Sequence, residues 1–329
     1  MSTTVFKRVL ITGGAGFIGS HLVDRLCENN VEVVVFDNLS SGSLENIKRW
    51  LDSSSFNFVH GDLLKPKEIS DSLHGCETIF HLAANPEVRV GSENPKVHYE
   101  QNVGATFNLL EAIRKVDDVG TLIFTSSSTV YGEPDKIPTP EDYAPLRPIS
   151  IYGASKLASE ALITSYAHTY GFKAIIYRLA NIVGPRTQHG VIYDFINKLI
   201  GKPKRLEILG DGTQTKSYLD VEDCIDAMLT GASRCQGKTE IYNVGSEDQA
   251  NVKEIADIVC EEMGLKNVDY VYTGGVDGGR GWKGDVKFML LSVEKIKRLG
   301  WKPKLNSRQA VRKTVKALLR QKGIYAPKE

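Results

Sequence analysis

The sequence predicts an α/β protein, in which a Rossmann-type doubly wound parallel sheet is joined to a smaller, mixed α/β C-terminal domain. Three observations predict this. Short apolar runs alternate with helical patterns through the first half of the chain, and a glycine-rich loop joins the first run to the first helix. After Pro185 the alternation becomes irregular. Repeated strand–helix–strand units are typical of a parallel sheet with helices on both faces.

The predicted strands of the sheet are short runs rich in Val, Ile and Phe. Several lack strict alternation of polar and apolar residues, as expected for strands buried on both faces. They are RVLIT (8–12), VEVVVFD (31–37), FNFVHGD (56–62), TIFHLAA (78–84), TLIFTSS (121–127) and KAIIYRL (173–179).

Helical patterns lie between these strands and continue beyond them. In the first half they cover 17–30, 97–116 and 150–171. The later part reads as a helix at 191–200, strands at 205–209 and 241–245, the segment 215–221 leading into a helix, and helices at 252–263, 292–299 and 306–321. We therefore expect a first domain at 1–180, with later returns near 215–245, and a second domain at 181–329.

The composition excludes several classes of protein. The 329 residues are 41% hydrophobic and 25% charged, which are globular values. A net charge of +1 gives no electrostatic case for binding nucleic acid or an anionic membrane. Five scattered cysteines without a CxxC pair predict reduced thiols rather than disulfides or a metal site. Because neither a cleavable signal nor an 18-residue apolar run is present, we expect a cytoplasmic protein.

The loop ITGGAGFIGSHL (11–22) predicts a dinucleotide site. Its glycines permit a tight turn and close approach of a pyrophosphate, and the following helix offers free N–H groups at its N-terminus. Asp37 ends the second strand at the expected spacing, and no arginine follows it at 38–41. A carboxylate there accepts the ribose hydroxyls and repels a 2′-phosphate, which favours NAD over NADP. The predicted cofactor contacts are Gly13, Gly14, Gly16, Phe17, Ile18, Gly19, Asp37 and Asn38.

Asp62 and Leu63 follow the third strand. Asp62 could accept a hydrogen bond from the adenine amino group, with Leu63 against the ring. The alternative is a carboxylate that caps a helix N-terminus, and the residues themselves do not separate the two.

The stretch SIYGASK (150–156) places Tyr152 and Lys156 four residues apart on one helical face. Such a pair usually has no function, but here it follows the serine-rich end of a strand, at the sheet edge where ligands bind. A tyrosine is a poor base at its ordinary pKa of about 10. A nearby ammonium, together with the positive nicotinamide ring, would lower that pKa. Tyr152 could then take a proton from a hydroxyl held by Ser127, and Lys156 could bind the nicotinamide ribose.

These motifs resemble the extended short-chain dehydrogenase/reductase family. TGGAGFIG, HLAA (81–84), Asn102, the serine-rich strand end, YGASK and RLANIVGP (178–185) appear in the family's usual order, over nearly the whole chain. DNLSSG (37–42) is typical of its nucleotide-sugar epimerases. The resemblance implies catalytic roles for Ser127, Tyr152 and Lys156, and a homodimer formed through the helices at 97–116 and 150–171. It also implies cofactor contacts from Leu82, Ala83, Ala84, Asn102, Tyr152, Lys156 and Leu179.

The residues after Ser127 discriminate between reactions within that family. Ser128 and Thr129 stand where related dehydratases carry an Asp-Glu pair and related decarboxylases carry a glutamate. A hydroxyl cannot act as the carboxylic acid that elimination needs. The resemblance therefore implies NAD-dependent inversion at C4 of a nucleotide sugar through a 4-keto intermediate, with UDP-glucose and UDP-galactose as the expected pair. An N-acetyl or uronic acid sugar, a dehydratase, and a non-catalytic dinucleotide-binding protein are the alternatives.

The nucleotide-sugar end of the site is implied by the resemblance to lie mainly in the second domain. Lys216 stands where the family commonly has arginine, and Arg280 and Asp285 resemble late phosphate- and ribose-binding residues. A solvated, glycine-rich loop at 273–284 is the alternative for the last two. The expected substrate contacts are Ser127, Ser128, Thr129, Asn181, Val191, Ile192, Lys216, Arg280 and Asp285.

Overall fold

The structure is a computed structural model that describes residues 6–324. Residues 1–5 of the first predicted domain and 325–329 of the second lie outside the described residues. Strands and helices alternate along the chain as the sequence predicts. The strands are β1 (Arg8–Thr12), β2 (Glu32–Asp37), β3 (Phe56–His60), β4 (Thr78–His81), β5 (Thr121–Ser127), β6 (Lys173–Leu179), β7 (Asn181–Val183), β8 (Arg205–Ile208), β9 (Thr215–Lys216), β10 (Tyr218–Asp220), β11 (Thr239–Val244), β12 (Ala250–Asn251), β13 (Asp269–Tyr272) and β14 (Phe288–Met289).

The helices differ from the predicted ones in continuity, length and number. The stretch predicted as one helix at 97–116 is divided into a helix (Pro95–His98), a π-helical segment (Tyr99–Gly104) and a second helix (Ala105–Ile113). The stretch at 292–299 narrows to Glu294–Lys297, and short helices that were not predicted lie at Pro66–Ile69 and Val90–Glu93. The helices are α1 (Phe17–Glu28), α2 (Pro66–Ile69), α3 (Val90–Glu93), α4 (Pro95–His98), α5 (Ala105–Ile113), α6 (Ile151–Tyr170), α7 (Val191–Gly201), α8 (Val221–Arg234), α9 (Val252–Glu262), α10 (Glu294–Lys297) and α11 (Ser307–Gln321).

Within the described residues, the main sheet has seven strands in the order β11-β6-β5-β4-β1-β2-β3, and every neighbouring pair is parallel. This confirms the Rossmann-type doubly wound sheet. The strand order reverses between β1 and β4, and a crevice opens at the carboxyl ends of the strands at such a point. Thr12 pairs with both Phe36 and His81, so the segments that follow β1, β2 and β4 meet at this edge.

Two hydrophobic cores cover the two faces of the sheet. Successive residues of β1 point to opposite faces, so Val9 and Ile11 join one core and Leu10 the other. Helices α1 and α8 close the first core, and α5 and α6 close the second. Burial on both faces explains why these strands read as continuous apolar runs.

The later part of the chain forms the smaller α/β region. Helices α7, α9 and α11 bury their apolar faces around β8, with Phe195, Val259 and Val315 in the shared core. Asn251 and Asn306 begin α9 and α11 with complete capping boxes. Strand β11 and helix α8 return from this region to the main sheet, near the predicted returns.

Three other properties concern the described residues alone. None of their helices is long and apolar enough to cross a membrane. No group of three or more His, Cys, Asp or Glu side chains among them is arranged to hold a metal ion. All five cysteines are buried and unpaired.

Candidate active site

A large crevice runs along the carboxyl edge of the sheet and between the two parts of the protein. It contains most of the residues that the sequence analysis selected, from both halves of the chain. The selected residues that line it are Gly13, Gly16, Phe17, Ile18, Gly19, Asp37, Asn38, Asp62, Leu63, Leu82, Ala83, Ala84, Ser127, Ser128, Thr129, Tyr152, Lys156, Leu179, Asn181, Val191, Ile192, Lys216 and Asp285.

The glycine loop between β1 and α1 forms one end of the crevice. Gly13 has a positive φ of 73°, a conformation that glycine adopts without strain. A Cβ on Gly19 would collide with the carbonyl of Gly13, whereas a Cβ on Gly16 would meet only that carbonyl, at 3.2 Å, and would fill space in the crevice. Helix α1 has no side-chain cap, so its first N–H groups remain available. This cradle fits a pyrophosphate.

Gly14 has a different role from its neighbours. It does not line the crevice, and a Cβ there would meet Val35 Cγ2 at 2.7 Å. Its lack of a side chain lets the loop pack against β2.

Asp37 lies at the end of β2 and is 8% exposed. Its two carboxylate oxygens accept hydrogen bonds from the backbone N–H groups of Ala15, at 3.0 Å, and Leu39, at 2.8 Å. Burial raises the pKa of Asp37, and these two hydrogen bonds oppose that shift. Since each carboxylate oxygen has a second lone pair, Asp37 keeps acceptor capacity toward the crevice, as two ribose hydroxyls require.

Asp62 and Leu63 line the crevice beyond Asp37. Asp62 Oδ1 accepts a hydrogen bond from the backbone N–H of Leu64 at 2.9 Å, while Lys65 is the N-cap of α2. Asp62 therefore stabilises its own turn rather than the helix N-terminus, and the adenine role stays a prediction.

Tyr152 lies in the first turn of α6, opposite the end of β5. Ser150 caps this helix by accepting a hydrogen bond from the backbone N–H of Gly153. Burial raises the pKa of Tyr152 to about 12, and a hydrogen bond with Ser127 only partly offsets it. The sequence led us to expect a pKa lowered by Lys156 and bound nicotinamide; in the protein by itself, burial outweighs the hydrogen bond with Ser127 and the pKa is raised.

Besides its hydrogen bond with Tyr152, Ser127 is held by Thr129. Its Oγ accepts hydrogen bonds from the backbone N–H of Thr129, at 3.2 Å, and from Thr129 Oγ1, at 3.0 Å. A 3₁₀ turn over Ser128–Tyr131 makes both bonds possible. Ser127, Thr129 and Tyr152 thus bring three hydroxyl groups to one part of the crevice.

Lys156 is 3% exposed, one helical turn beyond Tyr152. Its Nζ donates to the carbonyl of Thr125 at 2.9 Å and lies 5.9 Å from the centre of the Tyr152 ring. Burial lowers the pKa of Lys156 to about 7, and the carboxylate of Glu160 opposes that shift. Its charge therefore changes near neutral pH.

The lowered pKa of Lys156 predicts that the free energy of unfolding of the native protein and of a Lys156→Met variant differ by an amount that depends on pH. Between pH 7 and the ordinary lysine pKa of 10.5, the unfolded chain binds a proton that the folded protein has lost, so the stability contributed by this position rises with pH. We expect Lys156→Met to have a higher free energy of unfolding than the native protein near pH 7, with the difference shrinking by pH 9.5. Urea unfolding at several pH values measures this. The exposed Lys253→Met variant is the control, and a difference independent of pH would contradict the prediction.

Asn102 is the one expected cofactor contact, besides Gly14, that lies behind the crevice wall. Its Oδ1 accepts from the backbone N–H of Asn85 at 2.8 Å, and its Nδ2 donates to Ser155 Oγ at 2.9 Å. It joins the segment after β4 to α6, and therefore positions the wall that holds Tyr152.

The opposite end of the crevice carries the expected substrate contacts. Lys216 pairs with Asp285, which is 3% exposed, at 2.5 Å. Asn181 Nδ2 donates to the carbonyl of Ser217 at 3.2 Å, which leaves its Oδ1 available. Val191 and Ile192 begin α7 at the same end.

Arg280 does not line the crevice. Its guanidinium binds the carbonyls of Asp277 and Asp285 and the carboxylate of Glu133. Arg280 thereby ties its loop to itself and to Glu133, and its predicted role in substrate binding stays a prediction. Trp282 of the same loop lines the crevice.

Several crevice residues were not among the predicted contacts. Glu87 and Arg89 follow β4 and pair with each other, and Arg186 follows β7. Buried polar atoms without a hydrogen-bond partner occur on crevice residues at Arg186 Nη1, Gln214 Oε1 and Trp282 Nε1. Unsatisfied buried atoms fit a polar ligand. The only sequence signal for Glu87 and Arg89 was their place directly after a strand end.

Known proteins that are similar to this chain in sequence and in structure identify its family. Residues 9–245 match the family model described as NAD dependent epimerase/dehydratase family. A putative UDP-glucose 4-epimerase from Methanocaldococcus jannaschii is 36% identical, covering 93% of this chain and 97% of the relative.

Two solved structures are similar along almost the whole chain. One, a UDP-galactose 4-epimerase, is 44% identical with a TM-score of 0.85, covering 95% of this chain and 99% of the other. The second is a UDP-glucose 4-epimerase from Thermotoga maritima, solved with UDP-glucose, and it is 34% identical with the same TM-score and coverage. The family match spans most of the chain and includes the glycine cradle and the Ser127–Tyr152–Lys156 group, so the chain belongs to the NAD-dependent epimerase/dehydratase family, as its resemblance to the extended short-chain dehydrogenase/reductases implied.

Proposed function

We propose that this protein inverts the C4 configuration of a UDP-sugar through a 4-keto intermediate, interconverting UDP-glucose and UDP-galactose. One observation carries the proposal: Ser127, Tyr152 and Lys156 line the same crevice as the glycine cradle, and no carboxylate stands at position 128 or 129, where Ser128 and Thr129 are found. The group supports oxidation and reduction of an alcohol and lacks the acid for elimination. The UDP-sugar epimerases among its relatives support the same reaction.

The cofactor of the family is NAD, and the crevice fits it. The N–H groups of Phe17 and Ile18 at the start of α1 would hold the pyrophosphate, and Asp37 would hold the adenosine ribose. Leu82 and Leu179 would lie against the rings. Bound NAD supplies the acceptor and later the donor of the hydride at C4.

The protein's own residues move the proton. Ser127 would hold the 4-hydroxyl, and Tyr152 would accept its proton as the carbonyl forms and return it when the alcohol is restored. Lys156 would bind the nicotinamide ribose and, when protonated, stabilise the phenolate. Since burial raises the pKa of Tyr152, the positive charges of protonated Lys156 and of bound NAD would have to lower it before Tyr152 can act as the base.

The substrate would be held by its diphosphate while the sugar exposes first one face and then the other. Lys216 supplies a cation at that end of the crevice, and Asn181 supplies an amide. A lysine meets a phosphate as a point charge, without the two-pronged geometry of arginine.

A panel of UDP-, dTDP- and GDP-sugars, with the C4 configuration of the products read by NMR, tests this function. We expect UDP-glucose and UDP-galactose to reach the same equilibrium mixture from either side, without net consumption of NAD. Elimination products, or no turnover of any nucleotide sugar, would reject the proposal.

Asp37 provides a separate test of the cofactor site. Asp37→Asn keeps a hydrogen-bond acceptor but loses the charge. We expect NAD affinity to fall about tenfold, the scale of a hydrogen bond to a charged group, and discrimination against NADP to weaken. Calorimetric titration of both cofactors measures this, with the exposed Asp52→Asn as control. An unchanged ratio of the two affinities would remove Asp37 from the site.

The proposal extends to assembly and location. Helices α5 and α6 and the π-helical segment between α4 and α5 expose Tyr99, Phe107 and Tyr170, which supports a homodimer formed through them. Sedimentation velocity tests this. Unpaired cysteines support a cytoplasmic location, which fractionation of the native cells would test.

A further inference from the structure

The crevice contains an ion pair that neither cofactor binding nor proton transfer uses. Arg89 Nε donates to Glu87 Oε1 at 3.0 Å, and Arg89 Nη2 donates to Glu87 Oε2 at 3.3 Å. Burial would raise the pKa of Glu87, but the hydrogen bonds and charge of Arg89 outweigh it and leave that pKa below its ordinary value. Glu87 therefore carries a full negative charge at neutral pH.

The pair lies between the two ends of the substrate site. On the catalytic side, Glu87 is close enough to act electrostatically on His98, whose ring packs edge-on against Tyr152 with centroids 5.5 Å apart. On the other side, Arg89 Cζ is 5.8 Å from the centre of the Trp282 ring, and Lys216 Nζ is 5.5 Å from that same centre.

A nucleotide sugar must cross this stretch of the crevice. Its C4 hydroxyl has to reach Tyr152, and its diphosphate has to reach the cation at Lys216. C5 is bonded to C4, so the group on C5 is presented to the wall near the catalytic end. That group is a neutral hydroxymethyl in hexoses and a carboxylate in hexuronates.

A carboxylate on C5 would find the two cations nearest this wall already paired. Arg89 is paired with Glu87 and Lys216 with Asp285, whereas Arg186 is held by Asp24 of α1 through Nη2 and keeps only Nη1 without a partner. His189, which also faces Glu87, is kept uncharged because burial lowers its pKa, although Glu87 and Asp194 oppose that shift. The wall therefore favours a neutral substituent.

We propose that Glu87 makes this enzyme select neutral hexoses over hexuronates, because its carboxylate repels a C5 carboxylate and keeps Arg89 from binding one. A repelling group of this kind is a common means of specificity. The inference rests on the proposed function and names the substrate class of that same site.

The test is Glu87→Gln, which keeps the size and one acceptor oxygen but removes the charge. Like charges in direct contact cost enough that we expect kcat/KM for UDP-glucuronic acid to rise at least about tenfold. The value for UDP-glucose should change by less than about threefold, well under that tenfold step. Calorimetric titration with both nucleotide sugars should show the same gain in affinity for the acid. Glu93→Gln, on the exposed side of α3, is the matched control and should change neither substrate.

A double variant checks the part played by Arg89. Glu87→Gln combined with Arg89→Met should show a smaller gain for UDP-glucuronic acid than Glu87→Gln alone, because the released guanidinium is gone while the repelling charge stays absent. Thermal unfolding of each variant verifies that the fold is kept.

The outcomes separate this inference from the proposed function. If the native protein epimerises UDP-glucose but Glu87→Gln gains nothing for the acid, or if the native protein already uses both equally, the role of Glu87 is overturned and the epimerase stands. If the native protein turns over no UDP-sugar, the proposed function fails, and the titrations alone decide whether Glu87 excludes the carboxylate.

Discussion

Tyr152→Phe is expected to lower kcat by about 10²-fold or more, which is the usual effect of removing a general base. The phenylalanine fills the same space, so the packing against His98 is kept while the hydroxyl that bonds Ser127 is lost. NAD affinity should change little, because the pyrophosphate cradle and Asp37 lie elsewhere in the crevice.

Steady-state epimerisation of UDP-galactose measures the expected loss in kcat. Calorimetric titration measures whether NAD affinity is kept. Tyr170→Phe, at the exposed end of the same helix, is the matched control and should retain full activity. Near-normal turnover by Tyr152→Phe would defeat the proposed mechanism.

Arg178→Met is expected to destabilise the fold by about 3–5 kcal/mol, since it leaves a buried carboxylate without its partner. Arg178 and Glu160 are both nearly inaccessible to solvent and are joined at 2.7 Å. Glu160 also accepts from Ser126 at 2.5 Å, and Arg178 donates to the Tyr131 hydroxyl at 3.0 Å. The pair thus ties α6 to β5 and β6 at Ser126, the residue before Ser127.

Urea unfolding measures this loss, and the double variant Arg178→Met/Glu160→Leu gives the sharper test. With both charges removed, much of the stability should return, because no unpaired charge remains buried. Lys253→Met, which breaks an exposed pair with Asp257, should have little effect. An equally small change for Arg178→Met would show that the buried pair does not stabilise the fold.

The predictions that depended on local pattern agree best with the structure. β5 and β6 begin and end at the predicted residues, and the glycine loop lies between a strand and a helix as its spacing required. The prediction of one continuous α-helix at 97–116 was wrong. Apolar periodicity could not reveal the π-helical turn at Tyr99–Gly104, within which Asn102 faces Asn85 and Ser155.

The sequence by itself determined the doubly wound fold, the dinucleotide loop and the candidate residues Tyr152 and Lys156, because each depends on residues within one strand, one loop or one helical turn. Only the tertiary structure decided that Arg280 binds within its own loop and to Glu133, that burial holds the pKa values of Tyr152 and Lys156 away from ordinary values, and that Glu87 lines the crevice. These depend on which distant segments pack together. Burial and charge pairing are properties of that packing, and no short stretch of sequence contains them.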